Sequence, residues 1–281
     1  DGDSLSDGAE LVLAPSLNPL LIDSDADGSP DGWEVRIGYN AANGSDTPPA
    51  FAGSVGLQFC SELHDENRLS SLEPAGYVPQ TNWNVTWPLT TWNTPSGGTI
   101  DIDAPIAGSL VNAAGTATAM TVGWTSQNTW ASSNGGSPDQ KLLSGYIQAN
   151  IDGPASVVVS AIPYSTYHVI VYVGSVNDGA IGYTQLNNSP ATDQWFSSGS
   201  LRPETRFIQP LVSDQNLPRR GNMIVYENVT GTQCSVRLSN FSWHELGIHA
   251  VQIVDAAADL DNDGMPDWWE LMQGLKHGSG A

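Results

Sequence analysis

The stretch ASVVVSAIPYSTYHVIVYVG, residues 155–174, decides the fold class of this chain. It holds two runs that are dense in β-branched and aromatic residues, 155–162 and 167–174, with proline and serine between them. Short runs of this composition, bounded by turn residues, are typical of β-strands. The sequence therefore predicts two consecutive strands here, and similar runs lie on both sides of them.

Strand-like runs recur from residue 51 to residue 255, whereas helical periodicity is scarce. Met120, Val122 and Trp124 alternate onto one face, as expected of a strand with one buried side. Short helices are predicted only after the acidic loops described below and at 139–148. The pattern predicts an all-β fold, a two-sheet, jelly-roll-like β-sandwich. The predicted strands are residues 54–60, 99–103, 118–126, 155–162, 167–174, 182–186, 222–227, 233–240 and 247–254.

The strand pattern and its closing segment, GIHAVQIVD at residues 247–255, resemble the galactose-binding-like jelly rolls of bacterial secreted proteins. That resemblance implies a β-sandwich of the kind found in carbohydrate-binding proteins. It covers the middle of the chain, where the sequence predicts one domain at residues 49–256 between a loop segment at 1–48 and a loop and short helix at 257–281.

Three acidic segments share the pattern D-x-D-x-D-G-x-x-D-x-x-E. It is complete in DSDADGSPDGWE (23–34) and DLDNDGMPDWWE (259–270), and truncated in DGDSLSDGAE (1–10). The spacing wraps carboxylate oxygens around a tight turn, which suits the six to eight oxygen ligands of calcium. The sequence therefore predicts Ca²⁺ as a cofactor. The predicted ligands are Asp1, Asp3, Asp7 and Glu10; Asp23, Asp25, Asp27, Asp31 and Glu34; and Asp259, Asp261, Asp263, Asp267 and Glu270.

These loops differ from those of paired EF-hands. Their eighth position is Pro30 or Pro266, and proline has no N–H with which to join a partner loop. Residues 1–34, with the spacer Asn-Pro-Leu at 18–20, and the loop at 259–270 instead resemble thrombospondin type-3 repeats. That resemblance implies loops that follow one another and wrap calcium with little core of their own. Asp1 aligns with the third loop position, so either the first site is weak or empty, or the natural chain continues upstream.

Composition narrows the partners and the compartment. The formal charge is −21, and 14 of the 30 carboxylates lie in the three acidic segments. Nine Lys and Arg without a cluster make nucleic acid an unsuitable partner, and no apolar run approaches the length of a membrane span. Loops of this kind suit millimolar calcium, so the sequence predicts an extracellular or cell-surface protein.

Two cysteines, Cys60 and Cys234, lie in strand-like runs near opposite ends of the middle region. In an extracellular sandwich such strands are often neighbours, which makes a disulfide between them one prediction. The alternative is two buried thiols that behave as small hydrophobic side chains.

Tryptophans suggest a sugar-binding surface. Aromatic rings in loops stack on pyranose faces, while neighbouring amides bond the hydroxyls. The residues predicted for this role are Trp87, Trp92 and Trp130, with Asn93 and Asn128. The alternative for each tryptophan is packing in the core, and Trp33, Trp268 and Trp269 are expected to pack the acidic loops onto the domain.

No catalytic constellation emerges. The sequence lacks G-x-S-x-G, and His244 and His249, on either side of Glu245, are five apart where a helical zinc pair needs four. We therefore expect a non-catalytic protein. The first hypothesis is an extracellular structural subunit that binds copies of itself in a fibre or surface array, with calcium-stiffened segments at both ends. The alternative is a carbohydrate-binding module of a secreted enzyme or adhesin, with a glycan as partner.

Overall fold

The computed structural model describes most of the chain. It covers residues 5, 7–13, 17–49, 51, 53–61, 64–89, 109–126, 128–132, 136–151, 153–199, 207–210 and 214–278, with the backbone alone at 61, 65 and 86–89. Within these ranges, no helix has the length and apolar character that crossing a membrane requires.

Short helices and many strands make up the described residues. The α-helices are α1 (Asp7–Leu13), α2 (Asp31–Arg36), α3 (Pro138–Leu142) and α4 (Asp267–Gln273). The strands are β1 (Ser54–Ser61), β2 (Asn84–Leu89), β3 (Thr121–Thr125), β4 (Asn128–Ala131), β5 (Gly145–Ala149), β6 (Ala155–Ser160), β7 (Thr166–Gly174), β8 (Ile181–Leu186), β9 (Gln194–Ser197), β10 (Met223–Thr230), β11 (Gln233–Asn240) and β12 (Leu246–Asp255).

The strands form two sheets. The larger has seven strands in the order β10-β7-β12-β1-β2, with β5 also paired to β12 and β4 paired to β5. All its pairs are antiparallel except β1 with β2. The smaller sheet has five antiparallel strands in the order β3-β6-β11-β8-β9. The predicted all-β, two-sheet sandwich is confirmed.

A hydrophobic core fills the space between the sheets. Val122 and Trp124 of β3 and Val236 of β11 face it from the smaller sheet, and Leu57 and Val171 face it from the larger. The alternation expected from the sequence is present, because β3 buries every second residue. Period-two patterning therefore sets which side of each strand enters the core.

Most of the predicted strands are confirmed, but the prediction was incomplete. The predicted strand 99–103 lies outside the described residues. Strands β2, β4, β5 and β9 were not predicted. The predicted helix at 139–148 is partly wrong, because α3 ends at Leu142 and the chain enters β5 at Gly145. There Tyr146 and Ile147 are both fully buried, so packing on both faces of the strand outweighs the local pattern.

The two sheets differ in what covers their outer faces. Strands β5, β7 and β12 of the larger sheet are buried almost throughout, because a second hydrophobic cluster covers that face. It combines Ile37 and Phe51 from before β1 with Ala250 of β12 and Trp268 and Leu271 of α4. Both chain ends thus pack on the larger sheet. The smaller sheet instead alternates buried and partly exposed positions along β3, β6 and β11.

The predicted disulfide is wrong. Cys60 and Cys234 are both buried and are not bonded to each other. Cys234 of β11 faces the inter-sheet core. Cys60 follows the core-facing Phe59 in β1, and its Sγ lies 3.9 Å from the carbonyl oxygen of His64. The side chains therefore belong to different sheets and point in different directions, so the alternative of two buried thiols holds.

Candidate cation-binding loops and aromatic side chains

The loop at residues 23–34 brings three carboxylates together. Oxygens of Asp23, Asp25 and Asp27 all lie within 4.8 Å of one another. The loop is closed by backbone N–H groups of Ala26 and Gly28, which donate to Asp23 at 2.7 and 2.9 Å. Gly28 has a φ of 100°, a conformation that only glycine adopts without strain. The D-x-D-x-D-G spacing thus folds locally into a carboxylate-lined turn.

The loop at residues 259–270 has the same geometry. Oxygens of Asp259, Asp261 and Asp263 lie within 4.8 Å of one another. The N–H of Gly264, at a φ of 94°, donates to Asp259 over 3.0 Å, as Gly28 does to Asp23.

The ninth position of each loop, which opens the following helix, holds the loop in the same way. The N–H of Leu260 donates to Asp267 Oδ1 over 2.8 Å, and that of Ser24 donates to Asp31 Oδ1 over 2.7 Å. Two distant segments therefore reach one arrangement from one sequence pattern.

Buried carboxylate oxygens without a hydrogen-bond donor mark both loops. Among the described residues they include both oxygens of Glu34 and one oxygen each of Asp25, Asp27, Asp259, Asp261 and Glu270. Burial, and then the nearby Asp27 and Asp25, raises the pKa of Glu34 to about 9. Burial, and then Asp261, raises the pKa of Glu270 to about 7. Each loop concentrates negative charge, and a cation at either centre would relieve the repulsion between its carboxylates.

The helices that follow the two loops meet. A Cβ on Gly38 would lie 2.9 Å from the carbonyl oxygen of Gly274, so glycine permits this approach. Lys276 Nζ lies 2.5 Å from Asp46 Oδ2, and His277 Nε2 donates to the carbonyl oxygen of Pro49 over 3.1 Å. The segment after α4 is therefore fixed to the segment after α2 on the covered face of the larger sheet.

The first acidic segment is described only in part. Asp1 and Asp3 lie outside the described residues, and Asp7 and Glu10 lie on α1. Glu10 is fully buried, and neither of its oxygens has a hydrogen-bond partner. Burial, and then the charge of Asp31, raises its pKa. Glu10 therefore faces toward the second loop.

Of the three tryptophans predicted to bind sugar, the structure describes the side chain of Trp130 alone. The side chain of Trp87, and Trp92 and Asn93 entirely, lie outside them. Trp130 is half-buried and stacks on the buried Tyr146 with 5.6 Å between ring centres. The side chain of Asn128 donates to Gln148 Oε1 over 3.4 Å. Trp130 thus has a packing role in the sandwich.

Two of the three tryptophans near the acidic loops pack as expected, and Trp269 does not. Trp268 is buried, and its ring stacks on His168 with 4.4 Å between centres. Trp33 packs against the same hydrophobic cluster, whereas Trp269 is 46% exposed. Packing of the loops onto the larger sheet by Trp33 and Trp268 is confirmed.

The two histidines that flank Glu245 do not form a pair. His244 is exposed, whereas His249 is fully buried in β12 and its Nδ1 donates to the carbonyl oxygen of Gly145 over 2.7 Å. Burial lowers the pKa of His249 to about 4. The different surroundings agree with the sequence argument against a zinc pair.

Sequence reasoning missed three aromatic side chains on the outer face of the smaller sheet, Tyr183, Trp195 and Phe241. Their rings contact one another, and none of the three is buried. They are distant in sequence, so no local motif joins them. The sequence feature that could have indicated Tyr183 is the alternation of inward and outward residues along β8. Tyr183 occupies an outward position between residues that face the core.

Comparisons with known proteins give no match by sequence. No family model matches the chain, and no curated protein matches it. Solved structures with partial likeness include β-glucuronidase 2 of Bacteroides uniformis, at 10% identity and a TM-score of 0.33 over 72% of this chain. The chain spans only 18% of the length of that enzyme.

Two carbohydrate-binding modules are also similar in part. The CBM35 of Abf62 from Cellvibrio japonicus has 16% identity and a TM-score of 0.26, covering 40% of this chain and 72% of the module. The CBM6 of LamC from Zobellia galactanivorans has 18% identity and a TM-score of 0.21, covering 39% of this chain and 77% of the module.

Proposed function

We propose that the loops at residues 23–34 and 259–270 each bind one calcium ion. The observation that carries this proposal is the set of buried carboxylate oxygens that have no hydrogen-bond donor among the described residues. Calcium takes oxygen ligands in flexible geometry, which suits three converging Asp and a Glu from the next helix. A bound ion would replace the missing donors and offset the mutual repulsion of the carboxylates.

Calcium would act here as a structural cofactor. The helices after both loops contribute Ile37, Trp268 and Leu271 to the cluster that covers the larger sheet. Ion binding would therefore fix both chain ends on the sandwich and couple metal binding to folding. Such sites suit the millimolar calcium found outside cells, which supports a secreted, non-catalytic module.

Calorimetric calcium titration of the apo protein tests this proposal. Wild type should bind at least two ions and melt at a higher temperature in millimolar calcium than in EGTA. Asp27→Asn and Asp263→Asn should each lose one site, whereas Glu227→Gln, an exposed carboxylate on β10, should lose none. A wild-type protein that takes up no calcium and melts identically in both conditions contradicts the proposal.

Carbohydrate binding is the second candidate function. It is favoured by the outer face of the smaller sheet, where the exposed Phe241 lies with the partly exposed Tyr183 and Trp195. Exposed aromatic clusters on otherwise polar surfaces mark binding sites, and sugar rings present apolar faces that such rings can contact. A glycan array probed with the calcium-loaded protein tests this function, and an array without any bound glycan contradicts it.

Self-assembly into a fibre or array was the first hypothesis from the sequence, and it now stands behind the binding-module hypothesis. Negative-stain electron microscopy in calcium distinguishes the two, because a binding module should give dispersed particles and a structural subunit should give filaments.

A further inference from the structure

The outer face of the smaller sheet is open. Along β3 and β11, residues that face the core are buried, and those between them are partly or fully exposed. In the part of the chain that the structure describes, no helix or strand packs over these outward positions. The sequence makes most of them small or uncharged: Thr121, Gly123, Thr125, Ser156, Val158, Ser160, Gln233, Ser235 and Ser239.

Three rings form a continuous apolar surface at one side of this face. We call Tyr183, Trp195 and Phe241 the aromatic surface. Tyr183 of β8 lies opposite Trp195 of β9, with 4.7 Å between ring centres. Phe241 follows β11 and is fixed by its N–H, which donates to the carbonyl oxygen of Ile181 over 2.8 Å. Its ring centre lies 5.2 Å from that of Trp195, and its side chain is 57% exposed.

The rings are held by the sheet but are not coplanar. The planes of Tyr183 and Trp195 meet at 36°, and those of Trp195 and Phe241 at 74°. A flat crystalline surface can rest only on rings that share a plane. The aromatic surface therefore suits one flexible glycan chain that can follow its bend.

Polar groups border the aromatic surface in the next row of the sheet. Arg237 of β11 lies opposite Gln185 of β8, whose amide donates to Asp193 Oδ1 over 2.8 Å. Among the described residues, the guanidinium of Arg237 makes no hydrogen bond or ion pair. It offers donors in a fixed fork that can bond adjacent hydroxyls of a sugar.

Charge narrows the class of ligand. Arg237 is the one charged side chain at the outward positions of the five strands, although the chain carries a net charge of −21. The acidic loops lie on the larger sheet instead, so a neutral ligand meets a nearly neutral face. A polyanion would be repelled by the protein as a whole.

We propose that the aromatic surface, with Arg237, binds a single soluble chain of a neutral glycan. The rings contact the apolar faces of the sugars, and the Arg237 guanidinium bonds their hydroxyls. This inference rests on the carbohydrate-binding function proposed above, and it adds the surface and the ligand class.

Affinity measurements with site variants test the surface. The probes are soluble neutral polysaccharides, namely mixed-linkage β-glucan, galactan and xylan, each measured by affinity electrophoresis in calcium. Trp195→Ala should weaken binding about tenfold or more, and Trp195→Phe should retain part of it. Trp269→Ala is the control, because Trp269 is more exposed than Trp195 but lies on α4, which packs against the other sheet. Melting curves confirm that each variant is folded.

The outcomes distinguish the proposed surface and ligand class from carbohydrate binding in general. Wild type that binds a neutral glycan equally well at low and high salt, and loses it in Trp195→Ala but not in Trp269→Ala, supports the inference. Glycan binding that is unchanged in Trp195→Ala and Tyr183→Ala would show that the aromatic surface is not the binding site. The proposed carbohydrate-binding function would then still stand. Preference for microcrystalline cellulose or polygalacturonate overturns the ligand class. No binding to any glycan overturns both proposals.

Discussion

Replacing Glu34 with glutamine should have opposite effects on stability with and without calcium. Glu34 is fully buried, neither of its oxygens has a hydrogen-bond donor, and burial followed by the Asp27 charge raises its pKa from 4.5 to about 9. In the absence of a cation, the folded protein must therefore keep a proton on Glu34 or bury an uncompensated charge. Glutamine removes this cost, but it also removes one of the carboxylates that we propose as calcium ligands.

The size of the effect follows from the pKa. In the unfolded chain the Glu34 carboxyl has a pKa near 4.5 and is ionised at pH 7, whereas in the folded state it stays protonated. The gap between pH 7 and that pKa is about 2.5 units, so keeping the proton costs the folded state about 3 kcal/mol. Because the folded state binds the extra proton, this cost is absent below pH 4.5 and grows as the pH rises toward 9. Without calcium, Glu34→Gln should therefore be more stable than wild type at pH 7 by up to about 3 kcal/mol.

Calcium reverses the order. An ion at a thousandfold excess over its dissociation constant stabilises the folded wild type by about 4.1 kcal/mol, which exceeds the cost of about 3 kcal/mol that wild type bears without calcium. A neutral amide is a weaker ligand than a carboxylate, so the variant gains less from calcium than wild type does.

Urea denaturation in EGTA and in millimolar calcium, at acid and neutral pH, measures these differences. Glu227→Gln serves as the control because that side chain is exposed on β10, and it should change stability little in any condition. A Glu34→Gln protein that is less stable than wild type both with and without calcium would refute the reasoning.

Three other changes test separate parts of the structure. Lys276→Ala should remove the ion pair with Asp46, lower stability by about 0.5–1 kcal/mol and make calcium uptake by the two loops less cooperative in a calorimetric titration. Thiol labelling of the unreduced, unfolded protein should recover both Cys60 and Cys234, whereas recovery of neither would restore the disulfide. Trp130→Ala should lower the melting temperature by removing the stack on Tyr146 and leave glycan affinity unchanged; a loss of affinity without loss of stability would return Trp130 to the binding surface.

Strands with one buried side were predictable, and strands buried on both sides were harder to place. The alternation of Val122 and Trp124 is readable directly, because period-two burial leaves a period-two pattern. Strand β5 was harder to predict because the capping box of Ser137 and Gln140, just before it, starts a helix. The sequence pattern predicts that this helix continues, although it ends at Leu142. The chain leaves α3 for β5 because pairing with β12 buries Tyr146 and Ile147, and that pairing is a long-range event.

The sequence by itself determined the local chemistry of the acidic loops. The order of Asp23, Asp25, Asp27 and Gly28 is sufficient to build a carboxylate-lined turn, because its hydrogen bonds connect residues no more than five apart. The same local rule produced the same turn at Asp259. Local geometry can be read from a local pattern.

Only the tertiary structure decided which surfaces come together. It brought the segment after α2 against the segment after α4, kept Cys60 away from Cys234, and assembled Tyr183, Trp195 and Phe241 from β8, β9 and the end of β11. Strand order sets these neighbours, and strand order depends on how two sheets share one core rather than on any single segment. For that reason, the loops were visible in the sequence, and the aromatic surface was not.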